Sequence, residues 1–202
     1  MYTGGVQVGN DNVCCLAYAD DIVLISDTEN NLQCLLNSLD KWCKRWQLLI
    51  NTDKSNVVHF RPKSAPRSAF QFKLNGTMDL HYVSQYKYLG VVMDEFFKCK
   101  DMVEVLANSA GRALGGVIAK FRTINDMGVN TYTKLFHSCV VPVMDYCAGV
   151  WGLTKNVKAE SVQHRALRYF LGVHKFAPNL AIEGDMGWET CKIRWGVEIV
   201  RL

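Results

Sequence analysis

The sequence predicts an α+β fold, with a mixed part up to about residue 98 and an all-helical part after it. Two short apolar runs around a polar break predict a β-hairpin near the start of the chain, and one strongly amphipathic helix follows them. After about Lys100, four stretches have helical periodicity. The chain has 202 residues, of which 49% are hydrophobic and 21% are charged, so intrinsic disorder is excluded. This length suits one domain or two small ones.

The first predicted element is a buried hairpin. Its strands are Val13–Ala17 and Ile22–Ser26, which flank the polar run Tyr18-Ala19-Asp20-Asp21. Apolar, β-rich segments on both sides of a tight polar break are typical of a hairpin in a core. The acid pair is therefore expected at the tip of that hairpin.

The amphipathic helix has a marked beginning and a continuous apolar face. Ser26 and Glu29 have the spacing of a capping box, and Asp27 is a second candidate cap. Apolar residues then recur at steps of three and four, which places them on one face of the helix. They are Leu32, Leu35, Leu36, Leu39, Trp42, Cys43 and Trp46.

The rest of the first part predicts short strands and turns. Asn75-Gly76 is the dipeptide best suited to a type I′ hairpin turn, and Gly90 lies inside a strand where a bulge or a close backbone approach is expected. The predicted elements are a turn at Asn51-Thr52-Asp53-Lys54 and strands at Ser55–Phe60, Phe70–Leu74, Met78–Tyr82 and Tyr86–Met93.

The second part predicts four helices. They cover Val103–Phe121, Thr131–Tyr146, Val157–Leu171 and Glu189–Leu202. Gly172 follows the third of these, where a glycine commonly ends a helix. The change in character places a boundary near residue 98.

Several classes of protein are excluded by what the sequence lacks. The longest apolar runs, such as Val13–Ala19, are far shorter than the ~20 residues of a membrane span. No secretory signal pattern opens the chain, so an intracellular protein without a membrane partner is expected. The eight cysteines show no C-x-x-C spacing, which favours small buried side chains over a zinc site or a disulfide framework.

Positive charge is concentrated in two stretches, although the net charge is only +4. Lys41–Lys73 contains eight basic residues against Asp53, and Lys155–Lys175 contains five against Glu160. Such stretches suit a polyanion, while a solvated surface is the commoner explanation for any one of them.

The acid pair at Asp20 and Asp21 has two interpretations. Aspartate favours turns, so a polar hairpin tip explains the pair without any function. The apolar runs on both sides, however, would place these charges beside a buried hairpin, where carboxylates need a compensating cation.

An aromatic residue followed by Ala, Asp and Asp between apolar strands resembles the catalytic hairpin of reverse transcriptases. Later segments resemble the non-LTR, or LINE-type, retrotransposon branch in the same order, from about residue 4 to the end. The segments are Gln47–Ser55, similar to the motif after the palm helix; Tyr86–Val91, similar to the primer-grip hairpin; and Val141–Tyr146, Val150–Gly152 and Gln163–Arg168, similar to the helical region beyond the thumb.

The resemblance implies an RNA-directed DNA polymerase that uses two Mg²⁺ ions for nucleotidyl transfer. Asp20 would be the direct metal ligand. Asp21 would be an auxiliary one, because neighbouring strand residues point to opposite faces. Lys54 would lie near the triphosphate, although a plain surface lysine is an equal alternative. Tyr18 would pack near the primer end.

The same resemblance assigns the primer strand to the hairpin around Gly90. Tyr88, Leu89 and Gly90 would hold it, although alternating aromatic residues also suit an ordinary strand core. The expected partners are an RNA template, a DNA primer and deoxynucleoside triphosphates. A nuclear location is implied by the family alone.

The family also implies parts that we do not expect in this chain. Its active site uses a third carboxylate on an upstream strand and a fingers region, and Asp11 lies too close in sequence to Asp20 to replace that carboxylate. We therefore expect an incomplete right-hand palm at 1–98, thumb-like helices at 99–150 and the start of a post-thumb region at 151–202. The metal site would be incomplete, and the isolated chain would be inactive. The alternatives are a nucleic-acid-binding module and a non-functional remnant of a mobile element.

Overall fold

A computed structural model describes residues 4–124, 127–153 and 157–201 of the chain. It contains short β-hairpins followed by helices, so the predicted α+β class is confirmed. The chain divides into two compact units. The first unit comprises Met1–Tyr86 and Asp94–Phe97, and the second comprises Lys87–Met93 and Lys98–Leu202.

Short strands and one long helix make up the first part of the chain. The elements are β1 (Val6–Val8), β2 (Asp11–Val13), β3 (Cys15–Tyr18), β4 (Asp21–Leu24), α1 (Glu29–Arg45), β5 (Asn56–Val57), β6 (Lys73–Leu74), β7 (Met78–Asp79), β8 (His81–Tyr82), β9 (Gln85–Tyr88) and β10 (Val91–Asp94). The strands pair as β1 with β2, β3 with β4, β5 with β8, β6 with β7 and β9 with β10. Only the β5–β8 pair among those with a described register is parallel.

The β3–β4 hairpin exists as predicted, but its predicted burial is wrong. All four residues of β3 are exposed, and Leu16 and Ile22 expose 45% and 39% of their surface. In the described residues, β3 and β4 pair only with each other, so no neighbouring strand covers them. A groove of about 420 Å³ between this hairpin and α1 is lined mainly by apolar side chains, including Trp42.

Helix α1 is amphipathic, as predicted, but its N-cap residue differs from the predicted one. The side chain of Thr28 accepts a hydrogen bond from the backbone N–H of Asn31, so Thr28 is the N-cap, in place of Ser26 or Asp27. Leu35, Leu36 and Cys43 are buried on the predicted face. The C-terminal end of that face, at Trp42 and Trp46, is exposed.

A small core joins α1 to the short strands of the first unit. Leu36 packs with a cluster of buried apolar residues, namely Val57, Phe72, Leu74 and Leu80. The side chain of Gln33 also donates to the carbonyl of Lys73 at 2.7 Å and accepts from its N–H at 2.9 Å. The hairpin β6–β7 is thereby held against α1.

The turn predictions in this part have mixed outcomes. Asn75 and Gly76 both have positive φ, at 56° and 70°, which confirms the type I′ prediction. The strand predicted at Ser55–Phe60 is limited to β5. The single strand predicted at Tyr86–Met93 is instead the β9–β10 hairpin, because Leu89 and Gly90 also take positive φ and reverse the chain.

A buried carboxylate connects the basic loop that follows β5 to the segment after β10. Glu95 is 5% exposed, and its Oε2 accepts from Arg61 Nη2 at 3.2 Å and from Arg67 Nη2 at 2.7 Å. The backbone N–H of Arg61 donates to the carbonyl of Glu95 at 2.9 Å. The hydrogen bond from Arg67 lowers the pKa of Glu95, and the positive charges of both arginines act in the same direction.

Helices form the rest of the chain. The third predicted helix, Val157–Leu171, is confirmed at both ends, and Gly172 follows it with a φ of 65°. The helix predicted at Thr131–Tyr146 is wrong as a single element, because it is interrupted at Val140, just before Pro142. The helices are α2 (Lys100–Ile124), α3 (Val129–Cys139), α4 (Val141–Met144), α5 (Ala148–Trp151), α6 (Val157–Leu171), α7 (Asn179–Met186) and α8 (Cys191–Val200).

The sequence analysis missed α5 and α7, which have four and eight residues. Helix α8 begins two residues later than predicted, after the N-cap Thr190, whose side chain accepts from the N–H of Ile193. The predicted end of that helix, Leu202, lies outside the described residues.

Aromatic side chains fill the core of the second unit. Trp151, Trp195, Tyr132 and Phe136 are each at most 1% exposed. The ring centroids of Trp151 and Trp195 are 4.9 Å apart, and those of Phe136 and Trp188 are 4.3 Å apart. This packing joins α3, α5 and α8 into one hydrophobic core.

A polar network crosses the same core. Asp145, which follows α4, accepts from Arg194 Nε at 2.7 Å and from Trp195 Nε1 at 2.8 Å. Arg194 Nη1 donates to the fully buried Gln163 on α6 at 2.6 Å. Gln163 in turn donates to the carbonyl of Glu189 at 2.8 Å. Each of these buried polar groups therefore has a partner, as a folded core requires.

We expect the Glu95 cluster to make the stability of the chain depend on acid. Because the native pKa of Glu95 is lowered, its contribution is complete above the pKa of the unfolded chain and is lost as the pH falls through the native value. Thermal melts of the wild type and Glu95→Gln should differ most near neutral pH and converge in acid. A difference that stays constant down to strongly acidic pH would contradict this.

We expect Arg194→Ala to destabilise the second unit strongly, by roughly 3–5 kcal/mol, because it leaves the largely buried Asp145 carboxylate without its cation. Chemical denaturation measures this change. The matched control is Lys192→Ala, which removes an exposed cation from the same helix and should change stability by no more than about 0.5 kcal/mol. Equal effects of the two variants would show that the network is unimportant.

Candidate active site

The acid pair lies at the tip of the β3–β4 hairpin. Tyr18 pairs with Asp21, and Ala19 and Asp20 form the turn between them. Ala19 has a φ of 52°, a left-handed conformation that is unusual for a residue with a Cβ atom. Asp20 is in the turn and only Asp21 is in a strand. The alternation of side chains along a strand therefore cannot decide which of the two carboxylates would be the direct metal ligand.

Both carboxylates are exposed, and so is Tyr18, which exposes 64% of its surface. The expectation that these charges lie beside a buried hairpin is therefore wrong, and water can solvate them without a compensating cation. Their oxygen atoms are of the kind that Mg²⁺ prefers. Among residues 4–124, 127–153 and 157–201, however, no group of three or more His, Cys, Asp or Glu side chains could hold a metal ion. The described residues alone therefore do not form a metal centre.

Lys54 lies in the predicted turn after α1. Its N–H donates to the side-chain oxygen of Asn51 at 3.2 Å, and its carbonyl accepts from the hydroxyl of Tyr86 at 3.1 Å. Its side chain is exposed. Within the part of the chain that the structure describes, Lys54 forms no ion pair with Asp20 or Asp21.

The expected primer-binding residues lie in the β9–β10 hairpin. Tyr88 ends β9, and Leu89 and Gly90 form the turn with φ values of 47° and 85°. The hydroxyl of Tyr146 donates to the carbonyl of Leu89 at 2.6 Å. A Cβ atom on Gly90 would lie 3.5 Å from the Tyr146 ring, so the tyrosine packs closely over the turn.

Sequence reasoning noted Tyr146 within the Val141–Tyr146 segment but gave it no role. The structure makes it the residue that holds the hairpin tip. Local pattern could not reveal this, because 57 residues separate Tyr146 from Leu89.

The basic stretch Lys41–Lys73 is partly neutralised inside the first unit. Arg61 and Arg67 both pair with Glu95, and Lys44 pairs with Asp40. In the other basic stretch, Lys158 pairs with Glu104, and Lys155 lies outside the described residues. No described helix has the length and apolar composition that a bilayer crossing needs.

Comparison with protein families identifies the first part of the chain. Residues 4–93, which include the acid pair and most of the β9–β10 hairpin, match the model of the reverse transcriptase (RNA-dependent DNA polymerase) family. The chain is thus similar to the RNA-directed DNA polymerases of non-LTR retrotransposons. The resemblance inferred from the sequence motifs is thereby confirmed.

Curated relatives extend the match beyond this region. The chain is 24% identical to the RNA-directed DNA polymerase of transposon BS from Drosophila melanogaster and 25% identical to that of the mobile element jockey from Drosophila funebris. Each match covers 86% of this chain and 20% of the relative, so the chain spans about a fifth of these reverse transcriptases.

A transposon-derived protein of Caenorhabditis elegans is 28% identical, over 83% of this chain and 60% of its own length. No solved structure matches the chain.

We expect Tyr146→Phe to loosen the β9–β10 hairpin. The loss of one hydrogen bond, worth about 1 kcal/mol, should speed amide hydrogen exchange in β9 and β10 by roughly fivefold. Tyr169→Phe is the matched control, because it removes a hydroxyl whose described partner is Arg122. Unchanged exchange in Tyr146→Phe would show that the hairpin does not depend on this contact.

Proposed function

We propose that this reverse transcriptase chain supplies the catalytic hairpin, primer grip and thumb of an RNA-directed DNA polymerase. In this proposal, residues 1–98 form the C-terminal part of the palm, 99–150 the thumb and 151–202 the start of the region beyond it. The observation that carries the proposal is the exposed pair Asp20 and Asp21 at the tip of a hairpin that lies inside the family match.

Asp20 and Asp21 would each give carboxylate oxygens to the divalent metal ions that reverse transcriptases generally use. The chemistry of those ions, which we propose to be Mg²⁺, is to lower the charge repulsion of phosphoryl transfer. The described residues supply two adjacent carboxylates and no third donor near them. We therefore propose that a carboxylate from outside this set completes the site.

The remaining site residues have supporting roles in this proposal. Lys54 would oppose the charge of the incoming triphosphate, since its side chain is exposed and its backbone is held from both sides. Tyr18 would pack at the primer end beside the acid pair. Tyr88, Leu89 and Gly90 would hold the primer strand, with Tyr146 as the positioning residue that fixes their turn.

We also propose that the isolated chain does not synthesise DNA. Leu16 and Ile22 are exposed on the hairpin that carries the acids, and an apolar groove lies beside them. A further strand that covers this face would both bury the apolar side chains and bring a third carboxylate to the tip. The partners of the complete polymerase would be an RNA template, a DNA primer and deoxynucleoside triphosphates, and its place of action would be the nucleus.

Exchange of segments with a relative tests the roles of the acids. The whole chain, or Val13–Ser26 alone, replaces the matching segment of the transposon BS polymerase, and primer extension on an RNA template is measured with Mg²⁺. We expect the chimaeras to synthesise DNA and Asp20→Asn to reduce the rate roughly 10³-fold, because a metal ligand supports several kcal/mol of transition-state stabilisation. The 202-residue chain alone should be inactive.

In the whole-chain chimaera, Asp11→Asn is the matched control, since Asp11 is an exposed acid of the preceding β2 strand. This variant should keep the rate of the chimaera. If the whole-chain chimaera does not fold, the chimaera that contains only Val13–Ser26 still tests the proposal. A folded short chimaera that is inactive, or one in which Asp20→Asn remains active, would refute the proposal, and synthesis by the isolated chain would refute its incompleteness.

A further inference from the structure

A wide groove runs along α6 in the second unit and is not part of the candidate active site. Its volume is about 840 Å³, and it opens to solvent between α6 and the loop that follows it. The polar and aromatic residues that line it include Glu160, Arg165, Arg168, Tyr169, Lys175 and Asn179.

Two arginine side chains of this groove donate hydrogen bonds to backbone carbonyls and not to carboxylates. Arg165 Nη2 donates to the carbonyl of Gly111 at 3.1 Å, and Arg168 Nη2 donates to the carbonyl of Ala177 at 2.9 Å. Both partners are neutral acceptors, so they orient each guanidinium without placing a compensating negative charge beside it. Arg61 and Arg67 of the first unit differ, because their partner is the carboxylate of Glu95.

Acidic groups in and around the groove do not cancel this charge. Glu160 is the acidic residue that lines it, against Arg165, Arg168 and Lys175. The carboxylate of Glu183, on α7, lies 2.8 Å from Nε2 of His164 and adds a second negative charge, so the negative charges are still one fewer than the three cations. The groove therefore has an excess of positive charge, which suits a ligand with several phosphates.

An exposed aromatic ring lies on the loop between Lys175 and Asn179, two residues that line the groove. Phe176 exposes 78% of its surface, although it is one of the most apolar residue types. The ammonium nitrogen of Lys175 lies 5.0 Å from the centre of its ring, and the ring of His174 lies 5.1 Å away. The hydrogen bond from Arg168 to Ala177 ties this loop to the groove.

We propose that this groove binds an unpaired nucleic-acid strand, with its phosphates along Arg165, Arg168 and Lys175 and one base stacked on Phe176. Unpaired bases stack on exposed aromatic side chains because every base has a free π face, whereas bases inside a duplex are already stacked. An excess of cations beside an exposed ring therefore favours a single strand over a duplex. The site uses neither Asp20 nor a metal ion, so it stands apart from the proposed polymerase function.

Binding of a labelled oligouridylate tests the proposal. The probe is about 12 nucleotides long, within the usual site sizes for single strands, and fluorescence anisotropy with the 202-residue chain reports its affinity. Phe176→Ala should weaken binding roughly 5- to 100-fold, and Phe176→Trp should restore it. Lys175→Gln should reduce the slope of log affinity against log salt by about 0.7, as expected for one phosphate contact on a single strand.

Lys192→Gln is the matched charge control, because Lys192 is exposed on α8 and does not line the groove. It should leave the affinity unchanged. The same probe made of deoxyuridine distinguishes RNA from DNA, and tight binding of either supports the proposal. Thermal melts confirm that each variant is folded. Equal binding of duplex RNA, affinity that is flat in salt, or wild-type affinity in folded Phe176→Ala would overturn it.

Discussion

The carboxylate of Asp145 holds the second unit together at the point where its chain is most irregular. The segment from Val140 to Gly152 contains two helices of four residues each and a left-handed residue, Cys147. Helices that short do not persist by themselves. Asp145 fixes the segment by accepting from Arg194 and Trp195 of α8, and its neighbour Tyr146 reaches the turn at Leu89. Two adjacent side chains thus anchor both a helix and the expected primer-binding hairpin.

The acid pair lies on the β3–β4 hairpin, which has fewer stabilising contacts than the segment around Asp145. In β4, which contacts α1, Val23 and Leu24 are half-buried, whereas all four residues of β3 are exposed. Their other apolar side chains remain in solvent, at a cost in free energy that scales with the exposed apolar area. Such a hairpin is only marginally stable by itself. The geometry of Asp20 and Asp21 is therefore set by local turn chemistry, and the covering strand that we propose would add to the stability of this hairpin.

Sequence patterns predicted those features that depend on neighbouring residues. The boundaries of α6 follow from its periodicity, and the turn at Asn75-Gly76 follows from the two residues that adopt positive φ most easily. Pro142 was a readable signal for the break between α3 and α4. The burial of the β3–β4 hairpin was not readable, since it depends on which strands lie beside it. The partners of Glu95 and Tyr146 were equally hidden, because they come from distant parts of the chain.

Charge density in sequence is a poor guide to where a polyanion binds, and the two basic stretches show why. The stretch with more basic residues directs Arg61 and Arg67 onto a buried carboxylate, where they stabilise a loop. The shorter stretch places Arg165 and Arg168 against backbone carbonyls, which orient a guanidinium without supplying a negative charge. Only charge that remains uncompensated in the folded state can release counterions from a nucleic acid. The electrostatic footprint of this chain therefore depends on the partners of each cation and not only on the number of basic residues in a stretch.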